Sequence, residues 1–155
     1  MGIADDAIEV RATGWRILAA LHGLIETALE RELVREHELS VVEFTVLDAL
    51  SRQDGWHMRI SQLARAAALS PSATTRLVNR LEDRGLLVRV LCPDDRRGIY
   101  TEVTEKGREL YERAKPTHDR VLEAALTEAE GVPELAPLAE FLHRAPVGSE
   151  PSRSV

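Results

Sequence analysis

Four polar side chains lie on one side of a segment that the sequence predicts to be helical. Ser70-Pro71 indicates a helix start, because a serine oxygen can accept a bond from an unpaired backbone N–H and proline needs no N–H there. The helix is expected to run to about Arg84, with Gly85 at its left-handed end. At 100° per residue an apolar side opposes a polar side: Ala73, Leu77, Val78 and Leu81 against Ser72, Thr75, Arg76 and Asn79. The polar side can read base edges in a major groove, and a solvated surface is the alternative for this helix alone.

The segments on either side of this helix predict a winged arrangement. A shorter helix is expected before it, capped by Ser61 and packed through Leu63, Ala64 and Ala67. After it, residues 86–91 and 99–103 alternate and are rich in branched side chains, which is typical of two paired strands. The loop between them reads Cys-Pro-Asp-Asp-Arg-Arg-Gly. We expect its tip to place an arginine in a minor groove or on phosphates.

Charge is divided unevenly along the 155 residues. The net charge of −6 at pH 7 is unusual for a protein that binds DNA. Residues 59–97, however, contain eight arginines, no lysine and four carboxylates, a net charge of +4, so the remainder carries −10. A local basic surface of this kind is what phosphate contact requires.

Residues 39–107 resemble the MarR family of winged helix-turn-helix transcription regulators. The matching motifs follow in order: LS…F.VL..L in residues 39–50, LA at 63–64, LSPSATTRLVNRLEDRGL at 69–86, DDRRG at 94–98 and VTEKG at 103–107. The D-x-R element at residues 95–97 is the family's wing signature. The flanking helices match only in length and character. The resemblance implies a regulator of transcription that binds double-stranded DNA, generally as a repressor.

Roles for single residues follow from the wheel and from the matching family positions. The polar side of the helix is predicted to read the major groove, and Arg76 is expected to pair bidentately with guanine. Phosphate contacts are predicted for Ser70 and Arg80. Arg97 is the wing arginine, and Arg96 lies beside it. Asp95 is predicted to orient an arginine, since phosphate would repel its carboxylate, and a simple turn residue is the alternative.

Apolar residues at helical spacing predict further helices at about residues 13–35, 40–52, 104–128 and 134–143. Ser40 and Glu43 form a capping-box pattern at the start of the second of these. Residues 1–12 are expected to fray, 53–58 to form a loop, and the Pro/Ser-rich tail to be disordered. Three apolar helices flank the winged unit, which is too small to bury them all, so pairing with a second copy is predicted. The family resemblance implies the same two-fold dimer, which would bind a pseudo-palindromic DNA site.

The predicted fold is mainly α with a small β-hairpin wing, a winged helix-turn-helix with N- and C-terminal dimerisation helices. Four regions are expected: an N-terminal dimerisation helix (1–36), the DNA-binding region (37–104), C-terminal dimerisation helices (105–144) and the tail (145–155). No apolar run approaches the ~20 residues that span a bilayer. Early Asp5, Asp6 and Glu9 do not fit a signal peptide. A cytoplasmic protein with no membrane partner is therefore expected.

The resemblance also implies control by a small molecule or an oxidant, commonly in a crevice between the winged unit and the dimer helices. Five aromatic and imidazole side chains are candidates to border it, each with a core or surface role as the alternative: Trp15, His22, Trp56, His57 and His118. Oxidation-sensing members use a cysteine near the N-terminal helix. Here the only cysteine, Cys92, precedes the wing, so that mechanism does not carry over. A small packed residue is expected there, and a redox switch in the wing is the alternative.

Catalysis and metal binding need constellations that the sequence lacks. It contains no HExxH, no G-x-S-x-G, no Gly-rich phosphate loop and no cysteine pair, and its five histidines have no ligand spacing. Neither enzyme activity, nor a cofactor, nor a metal site is therefore predicted. Two alternatives stay open: a metal- or redox-responsive regulator, because distant histidines can converge, and a winged module for protein contacts without specific DNA binding.

Overall fold

The computed structural model describes residues 3–91 and 98–144, and the helical fold with a small sheet confirms the predicted fold class. The elements in order are α1 (Ile3–His37), α2 (Val41–Ser51), β1 (His57–Arg59), α3 (Ile60–Ala66), α4 (Pro71–Asp83), β2 (Leu87–Leu91), β3 (Ile99–Val103), α5 (Glu105–Glu130) and α6 (Ala136–Arg144). The described residues divide into two compact units, residues 3–28 with 120–144 and residues 29–119. None of the described helices is long and apolar enough to cross a membrane. The predicted tail, residues 145–155, lies outside the described residues.

The first unit has its own apolar core, formed by α1 and α6 together with the second half of α5. Its buried side chains are Leu21, Leu126, Ala129, Leu135 and Ala139. The prediction of fraying is wrong for residues 3–12, because α1 begins at Ile3, and residues 1 and 2 lie outside the described residues. Glu9, in the second turn of this helix, forms an ion pair of 2.8 Å with Arg16. The start of α6 is two residues later than predicted, because turn bonds to the carbonyl of Val132 occupy the residues before it.

The predicted hairpin is confirmed, and a third strand joins it. The sheet has the order β1-β3-β2, and both pairings are antiparallel. The prediction of a plain loop over residues 53–58 is wrong, because a 3-10 turn at Asp54–Trp56 leads into β1. Three residues are too few to show the alternation by which a strand is recognised in a sequence. What makes them a strand is the distant partner, which pairs Arg59 with Tyr100.

Helices α3 and α4 form the helix-turn-helix. The predicted cap Ser61 is wrong, because α3 begins directly where β1 ends and extended Arg59 occupies the cap position. The start of α4 is as predicted: Ser70 Oγ accepts a bond of 3.2 Å from the N–H of Ala73, and Pro71 is the first helical residue. Gly85 follows the helix with a φ of 74°, the left-handed conformation expected there.

The start of α5 is fastened to the end of α4. The Thr104 hydroxyl donates to the carbonyl of Gly85 at 2.7 Å and accepts from the N–H of Gly107 at 3.1 Å. The Lys106 ammonium donates to the carbonyl of Arg84 at 2.9 Å, where a helix end favours a cation. A Cβ atom on Gly107 would collide with the carbonyl oxygen of Leu86. The VTEKG motif therefore encodes a close approach between the start of α5 and the segment that follows α4.

A buried carboxylate joins the start of α2 to the end of α4. Glu43 is 4% exposed and completes the predicted capping box with Ser40, whose N–H donates to Oε2 at 2.9 Å. The same oxygen accepts from Arg84 Nη1 at 3.0 Å, and Arg80 Nη1 lies 3.8 Å from Oε1. Buried charges are stable only when paired and hydrogen-bonded. The two arginines therefore stabilise the buried carboxylate of Glu43, a role that the capping pattern alone did not predict.

Stacked rings join α2, the 3-10 turn and α5. The ring of Phe44 stacks on Tyr111 at 5.4 Å and on His118 at 4.4 Å between centroids, and Trp56 meets Tyr111 edge-on at 5.5 Å. The Tyr111 hydroxyl donates to Asp48 Oδ1 at 2.7 Å. Burial, reinforced by Asp48, raises the pKa of Tyr111 to about 12. The shift favours the neutral phenol, which is the form that donates the bond to α2.

Removing the charge of Glu43 is expected to loosen α4. Glu43→Gln keeps the shape of the side chain but leaves Arg84 with a neutral acceptor, so the free energy of unfolding should fall by about 1–3 kcal/mol. Urea denaturation followed by circular dichroism measures this. Glu9→Gln is the matched control, because the Glu9 carboxylate is exposed and its replacement should change little. Equal midpoints for wild type and Glu43→Gln would show that the carboxylate does not hold α4.

Candidate nucleic-acid interface

Helix α4 has the two-sided character that the wheel predicts. Its four predicted reading residues are exposed: Ser72, Thr75, Arg76 and Asn79. Leu77, Val78 and Leu81 are buried, and Thr74 joins them in place of half-buried Ala73. Thr74 can be buried because its hydroxyl donates to the carbonyl of Ser70 at 2.9 Å. The helix therefore leaves one continuous polar side open to a partner.

The side chains on this open side differ in the hydrogen bonds that they make within the chain. Ser70 Oγ is used as the helix cap and lies 3.3 Å from Ser72 Oγ. The hydroxyl of Thr75 donates to the carbonyl of Pro71 at 3.0 Å. Arg76 has no hydrogen bond or ion pair to any part of the chain that the structure describes. Its guanidinium, with five donors in a planar fork, is thus the group most available to an external acceptor.

Asn79 is held by a residue that the sequence analysis missed. Arg89 on β2 donates from Nη2 to Asn79 Oδ1 at 2.5 Å and from Nε to Glu82 Oε1 at 2.6 Å. The alternating pattern of residues 86–91 indicated a strand, but it could not show that Arg89 meets α4. Arg80 keeps 59% of its side chain exposed while it lies near Glu43, so a phosphate contact from Arg80 is sterically open.

The residues of the wing tip lie outside the described residues. This applies to Asp95, Arg96 and Arg97, and to Cys92, so their predicted roles stay predictions. The described base of the wing pairs Leu91 with Ile99, and both side chains are exposed. The wing strands therefore extend beyond the core of the second unit.

The five candidate effector residues do not share one environment. In the first unit, Trp15 is 69% exposed and His22 Nδ1 lies 3.5 Å from a carboxylate oxygen of Glu26. In the second unit, His57 meets the ring of Tyr100 edge-on. The two other candidates end the ring stack described above, His118 on Phe44 and Trp56 on Tyr111. Their proposed effector role stays a prediction.

Two crevices of the second unit are lined by other residues. One of about 490 Å³ lies at the end of α4 and is lined by His37, Glu38, Asp83, Arg84, Leu86, Lys106, Leu110 and Arg113. A second of about 340 Å³ is lined by Thr45, Asp48, Ala49, Arg52, Gln53 and Ala66. Within the described ranges, no three His, Cys, Asp or Glu side chains are grouped so that they could hold a metal ion.

Comparison with known proteins gives one consistent result. The model of the MarR family matches residues 37–98. The chain is 31% identical over 115 residues to the transcriptional repressor Rv2887 of Mycobacterium tuberculosis. This alignment covers 74% of this chain and 77% of the repressor. It spans about half the length of other curated relatives, which are regulators from Bacillus species.

Two solved structures from Streptomyces coelicolor share the fold. AbsC, a MarR family transcriptional regulator, is 30% identical with a TM-score of 0.67, over 84% of this chain and 92% of its own. Sco3205, a regulator of the same family solved in complex with DNA, is 26% identical with a TM-score of 0.71. The match covers 99% of this chain and 93% of the Sco3205 chain. Because both the sequence match to Rv2887 and the structural match to AbsC extend well beyond the winged unit, this chain belongs to the MarR family of transcriptional regulators.

Proposed function

We propose that this chain is a sequence-specific repressor that binds a pseudo-palindromic site in double-stranded DNA as a homodimer and is released by a small anionic molecule. It would act in the cytoplasm and carry out no catalysis. The observation that carries the proposal is the open polar side of α4, where Arg76 is exposed and unengaged among the described residues. A relative of the same fold, Sco3205, has been solved in complex with DNA, which supports DNA as the partner.

The chemistry of α4 matches a major groove. The groove admits an α-helix, and a guanidinium pairs bidentately with the N7 and O6 acceptors of guanine. Ser72 and Thr75 add exposed hydroxyls near Arg76. Ser70 and Arg80 stand at the margins of this side, where phosphate contacts would fix the position of the helix without reading sequence.

Loss of the Arg76 guanidinium is expected to remove sequence discrimination. Once a random-site selection has given the preferred duplex, Arg76→Ala should weaken binding to it by roughly 5- to 150-fold, the range for one bidentate base pair. Binding to scrambled DNA should change far less. Fluorescence anisotropy over a salt series measures both quantities.

The control for this variant is Arg16→Ala, which removes the same charge from an exposed position in the first unit. It should leave both affinities close to those of the wild type. If Arg76→Ala keeps the full preference for the selected duplex, α4 does not read bases through this residue. If the wild type selects no sequence and binds weakly at all salt concentrations, specific DNA binding itself is wrong.

The dimer is proposed from the apolar surface of the first unit. Large apolar side chains are exposed along α1 and α6: Ile8, Val10, Trp15, Leu18, Phe141 and Leu142. Single exposed apolar residues are ordinary, but a concentration of them on two helices marks a surface that another chain covers. A two-fold pair would present two copies of α4 to successive turns of DNA.

Light scattering of the purified protein is expected to give about twice the chain mass of 17.2 kDa. Phe141→Glu would place a carboxylate without a partner in the interface. The dissociation constant of the dimer should rise at least tenfold, and the measured mass should move toward that of the monomer. Binding to a single half-site should then persist while binding to the full palindrome weakens. A wild-type mass equal to that of one chain at micromolar concentration would contradict the dimer.

The effector is proposed from the crevice at the end of α4. Its lining combines three cations (Arg84, Lys106 and Arg113) with two carboxylates (Glu38 and Asp83) and with the apolar side chains of Leu86 and Leu110. The cations outnumber the carboxylates and lie beside apolar surface, which suits a carboxylate on an apolar body. Arg84 also bonds to Glu43, so a ligand that competes for this guanidinium would act on the contact between α2 and α4. A ligand that prefers one position of α4 shifts the population toward it.

Benzoate is a suitable probe of this crevice. At millimolar concentration it should raise the melting temperature of the free protein and lower the affinity for the selected duplex, whereas benzyl alcohol, similar in size but neutral, should do neither. Arg113→Ala should abolish both effects of benzoate without changing binding to DNA in its absence. Equal effects of the two compounds, or of benzoate on wild type and variant, would contradict an anion site here.

A further inference from the structure

The amide of Asn79 is fixed by a residue of the first wing strand. Arg89 donates to Asn79 Oδ1 at 2.5 Å through Nη2 and to Glu82 Oε1 at 2.6 Å through Nε. Asn79 and Glu82 are three residues apart, which places them on the same side of α4. The guanidinium of Arg89 therefore spans the exposed surface of α4 from the strand beside it.

This contact identifies which atom of the Asn79 amide, the oxygen or the nitrogen, binds Arg89. An arginine side chain has five donors and no acceptor, so the asparagine atom that faces it must be the carbonyl oxygen. The amide nitrogen keeps both of its hydrogens, and Asn79 is exposed. The side chain thus presents donors, while its acceptor lies beside a cation.

An asparagine that is held in this way differs from a free one in what it can read. A free asparagine pairs bidentately with adenine, because its oxygen accepts from N6 and its nitrogen donates to N7. Beside Arg89 the oxygen is already engaged, and the positive charge opposes the approach of the adenine amino group. The guanine edge offers two acceptors, N7 and O6, which suit both the amide donors and the nearby cation.

We propose that Arg89 is a positioning residue that changes the base preference of Asn79 from adenine to guanine. The inference rests on the proposed function, since it requires α4 to lie in a major groove. Two features hold Arg89 in this role. Glu82 binds its Nε, and the backbone of Arg89 is paired with Thr101 in the antiparallel sheet.

The test is a selection from a random duplex library with four proteins: wild type, Asn79→Ala, Arg89→Met and the double variant. Asn79→Ala identifies the base pair that Asn79 contacts, because preference at that position alone should disappear. At this position the wild type should select guanine, and Arg89→Met should select adenine, with the ratio of the two bases changed by at least about fivefold. The double variant should behave like Asn79→Ala, since Arg89 acts only through the amide.

Arg89→Lys separates positioning from charge. Lysine keeps the cation but lacks the planar fork that binds Asn79 and Glu82 together, so guanine should remain preferred with a smaller ratio than in the wild type. Because Arg89 is 42% exposed, each variant is expected to fold, and its melting temperature is to be measured as a check. The base ratio at a single position would not respond to a purely structural role.

Several results would overturn the proposal. A wild-type preference for adenine at the position identified by Asn79→Ala would do so, as would an Asn79→Ala variant with unchanged preferences. A uniform loss of affinity in Arg89→Met with a shallower salt dependence and the same base preferences would show that Arg89 leaves Asn79 for a phosphate. A wild type that selects no sequence would instead overturn the proposed function, and this inference with it.

Discussion

The buried carboxylate of Glu43 is the contact on which the position of α4 depends. It caps α2 through the N–H of Ser40 and binds Arg84 at the end of α4, so two helices share one charge that cannot be left unpaired. The start of α5 approaches the same end of α4 through the Thr104 hydroxyl and Lys106. The contacts to α4 in this set lie at its C-terminal end or directly beyond it. In the N-terminal half, the part of the chain that the structure describes leaves Ser72, Thr75 and Arg76 exposed.

The arginines around α4 differ in their partners, in a protein whose net charge is −6. Four of its arginines lie on or beside α4, and they are not equivalent. Arg84 is tied to a buried carboxylate, Arg89 to the side chains of α4, and Arg80 only loosely to Glu43, whereas Arg76 has no described partner. A count of charges along the sequence cannot make this distinction. The three-dimensional contacts show which arginines hold the fold together, which one holds other side chains, and which one is available to an external partner.

Local signals made much of the fold predictable. Ser70-Pro71, Gly85 and the capping box of Ser40 and Glu43 each act within a few residues, and each is present where the sequence predicts it. Long-range contacts account for what was missed. The strand at His57–Arg59 exists because β3 pairs with it, and Arg89 matters because β2 brings it to α4. The start of α1 was missed for the opposite reason: ten weakly patterned residues are helical because nothing in them stops the helix.

The contact between Arg89 and Asn79 bears on how sequence relates to specificity in this fold. A recognition helix is usually described by the residues on its own exposed side, as if each were free to choose its base. In this chain one of those residues has its acceptor filled from a neighbouring strand, ten positions further along. Two proteins with the same α4 and different residues at this place in β2 would then present different donor and acceptor patterns to the groove. In the proposed complex, the unit of base recognition is therefore the helix together with the strand that packs beside it.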